Sequence, residues 1–251
     1  MDLFRLEGKV AVVTGGNRGL GAAMAYGLAQ AGADVAIVQR SPDESDNAAR
    51  IRSLGRKCET FICDLADTSN IQPLIRDIKA KFGRIDILVN NAGVQRRSPS
   101  AEFSEEDWDF VMQVNAKSVF FLCQAAGREM LRQGKGKIIN VASLLSFQGG
   151  INVPAYAASK GAVAQFTKTL SNEWAARGVN VNAIAPGYMA TEMNTALMED
   201  RERYEQILQR IPAGRWGTPE DMVGAVVFLA SSASDYINGE IITVDGGWMG
   251  R

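Results

Sequence analysis

Tyr156 and Lys160 stand four residues apart in the stretch Ser143-Leu-Leu-Ser-Phe-Gln-Gly-Gly-Ile-Asn-Val-Pro-Ala-Tyr-Ala-Ala-Ser-Lys160. If the chain is helical after Pro154, both side chains lie on one face, about one turn apart. A phenol with an ordinary pKa of about 10 is a poor base at neutral pH. A neighbouring ammonium group favours the phenolate, and a lowering of ~3 units corresponds to roughly 4 kcal/mol of differential interaction. A tyrosine tuned in this way takes a proton from an alcohol or gives one to a carbonyl oxygen. Ser143 ends the apolar run Lys137-Ile-Ile-Asn-Val-Ala-Ser143, where its hydroxyl could point at the same oxygen. A Tyr-x-x-x-Lys pair is common by chance on helices, so its meaning depends on the rest of the chain.

The composition removes the usual competitors. The chain has no histidine, which excludes Ser-His-Asp and Cys-His hydrolases and every His-ligated metal site. Acid–base chemistry must come from Tyr, Lys or carboxylates. Cys58, Cys63 and Cys123 lack metal-type spacing. The N-terminus lacks a signal-peptide plan, so the three cysteines are expected to be reduced packing residues and the protein cytoplasmic. A net charge of −1 gives no sign of a polyanion-binding surface, so no nucleic-acid partner is expected. The longest apolar runs are strand-sized, so no membrane span is expected.

The elements that must position the pair are legible in order. Residues 9–14 form a short β-branched run, followed at once by Gly15-Gly-Asn17-Arg18-Gly19-Leu20-Gly21 and an Ala-rich helical stretch to Gln30. Strand, glycine turn and helix make a dinucleotide-binding start: the backbone approaches a pyrophosphate and the helix N-terminus supplies N–H donors. A second strand is predicted over 34–39. About 20 residues past the glycines, NAD-binding versions of this unit carry an acid for the ribose hydroxyls. Here Gln39-Arg40-Ser41 stand there, and Arg40, helped by Arg18, could bind a 2′-phosphate. The cofactor expected is therefore NAD(P), with NADP(H) favoured. A polar helix is predicted from about Glu44 to Leu54, a strand over 57–63 with Asp64 placed to meet an adenine amino group, a helix over 69–82 and a strand over 85–90. Asn90-Asn91-Ala92-Gly93 ends that strand, small and polar where a cofactor could lie close.

Ser104-Glu-Glu-Asp107 resembles a capping box and opens a long helix containing Asn115. Strands over 137–142 and 179–185 flank a long helix over 154–177, and Pro186-Gly187 ends the latter strand. Residues 188–216 read as a mobile polar lid, Thr218-Pro219 as a helix start, and 240–244 as the last strand. The alternation predicts an α/β fold: one Rossmann-type domain over 1–251, a doubly wound parallel sheet of about seven strands with helices on both faces, and sites at the strands' carboxyl ends.

Thr14-Gly15-x-x-x-Gly19-x-Gly21, Asn90-Asn-Ala-Gly93, Ser143, Tyr156-x-x-x-Lys160 and Pro186-Gly187 fall in the order and spacing of the short-chain dehydrogenase/reductases, which the chain resembles over its whole length. The resemblance implies a catalytic tetrad of Asn115, Ser143, Tyr156 and Lys160, in which a helix distortion at Asn115 holds a water linking Lys160 to solvent. It implies that Lys160 also holds the nicotinamide ribose, that Thr191 contacts the carboxamide, and that Leu20, Leu65, Asn91 and Met189 join the cofactor site. A homotetramer built through the long helices and the C-terminal strand is also implied. The segments around Arg96-Arg97, Gln148, Tyr188 and Arg210–Gly217 are similar to the subgroup that acts on deoxy sugar acids. An acid of that kind needs a cation for its carboxylate and polar groups for its hydroxyls, and Arg97, Arg96, Gln148 and Arg215 are the candidates. Other carbonyl substrates remain open: gluconate, a polyol or ketose, or a 3-oxoacyl carrier protein. A non-catalytic dinucleotide sensor is the reading from another class, and the intact tetrad speaks against it.

Overall fold

Near-continuous β-branched runs pair best when both faces of their sheet are covered, and that is how this chain is built. The structure, a computed structural model, describes residues 2–42 and 46–251. Seven parallel strands form one sheet in the order β3-β2-β1-β4-β5-β6-β7. They are β1 (Val10–Thr14), β2 (Asp34–Gln39), β3 (Cys58–Ile62), β4 (Ile87–Asn90), β5 (Gly136–Val141), β6 (Val179–Pro186) and β7 (Ile241–Val244). The order reverses between β1 and β4, which pair from Ala11 with Ile87 to Val13 with Val89. That reversal opens a crevice at the carboxyl ends of the strands.

Alternate residues of each strand feed two cores. One face packs Ala11, Val13, Ile87 and Ile139 against α1 (Gly19–Gln30), α2 (Asn47–Ser53) and the apolar helix 223–230. The other packs Val12, Leu88, Ile138 and Val181 against α3 (Ile71–Phe82), α5 (Ser118–Gln133) and α6 (Pro154–Trp174). α4 (Glu105–Met112) runs into α5 through a π turn, Gln113–Lys117. The expected long helix is thus one run with a widened turn at Asn115. Ser104 caps α4 by accepting from the Asp107 amide at 3.1 Å.

The second helix begins at Asn47; Glu44, where it was expected to start, lies outside the described residues. The stretch expected as a polar lid carries two helices, α7 (Thr195–Glu199) and α8 (Arg201–Arg210), ahead of the helix just mentioned, α9 (Val223–Ala230). Ile207, Ile211, Trp216 and Trp248 bury together there as a third, small cluster. Tyr204, Ile207, Leu208 and Ile211 have helical spacing, the signal that identifies α8. Cys58, Cys63 and Cys123 are free and buried. Burial pushes their thiols up to about 11, about 11 and about 12.

α5 and α6 approach closely at Gly127, where a Cβ would come within 2.6 Å of the Trp174 ring. Gly127→Ala should therefore overpack this crossing and destabilise by about 1–3 kcal/mol. A denaturant midpoint equal to that of the parent would refute the fit.

Candidate active site

The carboxyl end of β5 delivers Ser143, and α6 faces it. Pro154 sits in the first turn of α6, where its missing N–H costs nothing. Tyr156, in the same first turn, and Lys160, in the next, share a face as the spacing predicts, with the Lys160 Nζ 5.7 Å from the centre of the Tyr156 ring. Ser143 is buried, and its hydroxyl accepts from the Leu145 amide at 3.1 Å. Ser146 ties the loop to α6 by donating to the Lys160 carbonyl at 2.7 Å.

The electrostatics differ from the expectation. Burial pushes the Tyr156 phenol up from its ordinary value, and the Ser143 hydroxyl and then Arg97 oppose it. Lys160 is absent from those opposing influences. Its ammonium donates to the Val141 carbonyl at 2.6 Å, and burial brings it down to about 8. Desolvation acts on both groups against their charged forms.

Asn115 is fully buried at the centre of the π turn. Its Oδ1 accepts from the Val94 amide and its Nδ2 donates to the Val94 carbonyl, both at 2.8 Å. A second donation, to the Ser159 hydroxyl at 3.3 Å, joins α6 to the same point. An Asn in a helix interior is usually a passenger; here it clamps the loop after Gly93. π turns of this kind often mark functional sites.

Beside this group lies the crevice at the β1/β4 reversal. Gly15 and Gly19 have positive φ (64° and 53°), which favours glycine. A Cβ at Gly19 would meet nothing within 4 Å, so the backbone there faces open space. The N-cap residue of α1, Arg18, makes no side-chain cap hydrogen bond, and the first turn holds no acid. Thr14 Oγ1 accepts from the amides of Asn91 and Ala92, each at 3.0 Å, and Asn91 Nδ2 donates to the carbonyls of Thr14 and Gly15. This cross-brace holds the two loops in register. The cradle suits a pyrophosphate, so the residues fit a dinucleotide. At its far end Gln39 is buried and donates to the Ser41 carbonyl at 2.9 Å, while Arg40 and Ser41 are exposed. Asp64 is exposed and accepts from the Ala66 amide, and Leu65 is buried beside it. Asn17 lies in the glycine loop, and Arg18 pairs with Glu192 at 3.0 Å.

A cavity of about 480 Å³ joins the two halves, lined among others by Leu20, Arg97, Ser143, Gln148, Tyr156 and Arg203. Pro186, Gly187, Met189 and Thr191 form part of its wall. Partial desolvation holds the Arg97 guanidinium below its ordinary value, while the Tyr188 and Tyr156 phenols act in the other direction. Two candidate cations are elsewhere. Arg96 pairs with Asp107 at 3.1 Å and covers the Phe110 ring, because successive residues of an extended loop point to opposite sides. Arg215 is held by two hydrogen bonds to Asp221, both 2.7 Å, at the start of the 219–230 helical segment. Arg203 and Tyr188 line the cavity although their spacing carries no motif; recognising α8 from its apolar period would have placed Arg203 on a helix, but not its direction.

The profile of the family described as enoyl-(acyl carrier protein) reductase matches residues 15–249. The chain is similar to the 2-dehydro-3-deoxy-D-gluconate 5-dehydrogenase of Escherichia coli strain K12, with 54% identity over 100% of this chain and 99% of the relative. Among solved structures it is similar to a provisionally named 2-deoxy-D-gluconate 3-dehydrogenase from Agrobacterium tumefaciens with bound NADP, with 52% identity, a TM-score of 0.94 and 100% of both chains covered. It is similar too to a gluconate 5-dehydrogenase from Burkholderia cenocepacia J2315 in complex with NADP and tartrate, with 43% identity, a TM-score of 0.96, and 100% of this chain and 98% of that one covered. With its ordered motifs in one crevice and full-length relatives of this similarity, the chain belongs to the short-chain dehydrogenase/reductase family of oxidoreductases.

Proposed function

We propose that the chain is an NADP(H)-preferring oxidoreductase that interconverts a carbinol and a ketone in a deoxy sugar acid of the 2-dehydro-3-deoxy-D-gluconate type. The observation that carries this reading is the single cavity in which Tyr156, Ser143 and Arg97 meet. The names of the relatives support the substrate class, and the NADP in their structures supports the coenzyme.

When bound, the nicotinamide coenzyme supplies or accepts the hydride. Gly15, Asn17, Gly19, Gly21, Asn91, Ala92 and Gly93 would hold its pyrophosphate and the ribose beyond, with Lys160 on the nicotinamide ribose. Gln39, Arg40, Ser41 and Arg18 would take the adenosine 2′-phosphate, and Asp64 and Leu65 the adenine. Pro186, Gly187, Met189 and Thr191 would border the nicotinamide. Tyr156 stays protonated through the neutral range because burial raises its pKa, so in reduction it donates to the new alkoxide. Ser143 steadies that oxygen, and Lys160, with the π turn at Asn115, returns the proton from solvent. Arg97 is the cation for the acid and Gln148 a polar partner for its oxygens.

The whole chain acts as one domain in this reading, with 188–216 as the lid over the substrate. The half-buried apolar surface of Phe110, Phe120 and Phe166 on α4, α5 and α6 and the edge of β7 are the proposed faces of a homotetramer. Three free buried thiols suit the cytoplasm. Among the described residues no helix is long and apolar enough to cross a membrane.

The direct test is the initial rate with 3-deoxy-D-glycero-2,5-hexodiulosonate, using NADPH and NADH in parallel. Turnover favouring NADPH is expected, and Tyr156→Phe should lower kcat by about 10²–10⁴-fold while leaving NADPH affinity nearly unchanged. No turnover of the acid, in protein that binds NADPH and reduces a neutral ketose, would overturn the substrate.

Arg40→Ser should raise the KM for NADPH roughly 10-fold or more, as expected for a lost charge-assisted phosphate contact, and leave the KM for NADH alone. Equal effects on both coenzymes would remove Arg40 from the phosphate site.

The pH dependence follows from Lys160, cationic below about 8 and neutral above it. Reduction should hold level in the neutral range and decline as pH rises through about 8. In Lys160→Met that limb should vanish from a rate already lower by about 10²-fold or more. A limb that persists in the variant belongs to another group.

A further inference from the structure

The C-terminal residues reach back to the cavity. Asp245 Oδ1 accepts from the Gly247 amide at 2.8 Å and Oδ2 from the Met249 amide at 2.9 Å, while Gly246 and Gly247 both take positive φ. This hook turns Trp248 inward, where it is 5% exposed. Its ring lies 4.6 Å from that of Tyr188, with the Arg210 guanidinium 4.1 Å above it. The indole Nε1 donates to Gln148 Oε1 at 3.2 Å.

That bond fixes more than distance. An indole N–H can only donate, so the atom of Gln148 that meets it must be the oxygen. The two ends of a glutamine amide are otherwise interchangeable in shape. With Oε1 committed to Trp248, the Nε2 end is directed away from the indole, and Gln148 lines the cavity. The side chain therefore offers that cavity donors rather than acceptors.

We propose that Trp248 is a positioning residue for substrate recognition: its indole locks the Gln148 amide so that Nε2 donates to an acceptor oxygen of the bound acid, a carboxylate or keto oxygen. The proposal rests on the sugar-acid reading for the identity of that oxygen. It assigns to the segment after β7 a part in specificity that lies 100 residues away in sequence from the group it orients. An unlocked amide would spend part of its time with its oxygen facing the acid, where two acceptors repel.

Two measurements test it. The chain has four tryptophans, so its ¹⁵N-indole spectrum has four signals. The one lost in Trp248→Phe should shift in Gln148→Ala in the absence of any substrate; an unmoved signal overturns the hydrogen bond. Second, Trp248→Phe keeps a ring against Tyr188 but no donor. It should raise the KM for the acid by roughly 5–10-fold, the value of one lost hydrogen bond, with kcat within about twofold and NADPH affinity intact. In a Gln148→Ala background the same substitution should add nothing. An equal KM effect in both backgrounds, or a loss of NADPH affinity, marks a merely structural tryptophan and overturns the proposal. If the parent reduces only a neutral ketose, the sugar-acid reading fails while the indole signal and the same cycle run on that ketose still decide the role of Trp248.

Discussion

Desolvation at the carboxyl end of β5 is the constraint on which the rest of the site depends. Lys160 is 4% exposed and donates to a backbone carbonyl, that of Val141. An ammonium in such a place loses much of its preference for the proton, and a phenol beside it clings to its own. The two groups hold a proton about equally in water; here the phenol holds it more tightly and the ammonium more loosely. That order suits a site in which the loosely held proton of Lys160 replaces the one that Tyr156 has given up. The helix carrying both is tied at its first turns to Ser146, through the Lys160 carbonyl, and to Asn115, through the Ser159 hydroxyl.

The frame around this pair was readable because its determinants are local. A β-branched run, a glycine turn and an Ala-rich helix specify one βα unit without reference to anything distant, and the seven strands fall close to their expected places. The Tyr-x-x-x-Lys face and the end of β5 at Ser143 follow from periodicity alone. The resemblance added the distortion at Asn115, which no spacing rule gives. Its cause is tertiary: the Val94 loop claims both ends of the Asn115 amide.

What the chain hid was direction and environment. Arg96 and Arg97 are adjacent and chemically identical, yet Asp107 and Phe110 claim one while the cavity keeps the other. Arg215 looked equally available until Asp221 took both of its nitrogens. The upward net shift of the Tyr156 phenol was hidden too, because spacing reports proximity to Lys160 and says nothing of the water removed around both. The 188–216 segment was read by its polarity, while its apolar residues at helical spacing built α8 and a cluster of aromatic rings.

The three thiols have a consequence for the chemistry around the molecule. With pKa values of about 11 to 12, each is a thiolate for only a minute fraction of the time at neutral pH. Peroxides, disulfide exchange partners and alkylating agents attack the thiolate and need access to it, and both are denied. The cysteines of an oxidoreductase of this build are thus insulated from the oxidants around it, and a single cysteine introduced on the surface would be its one reactive thiol.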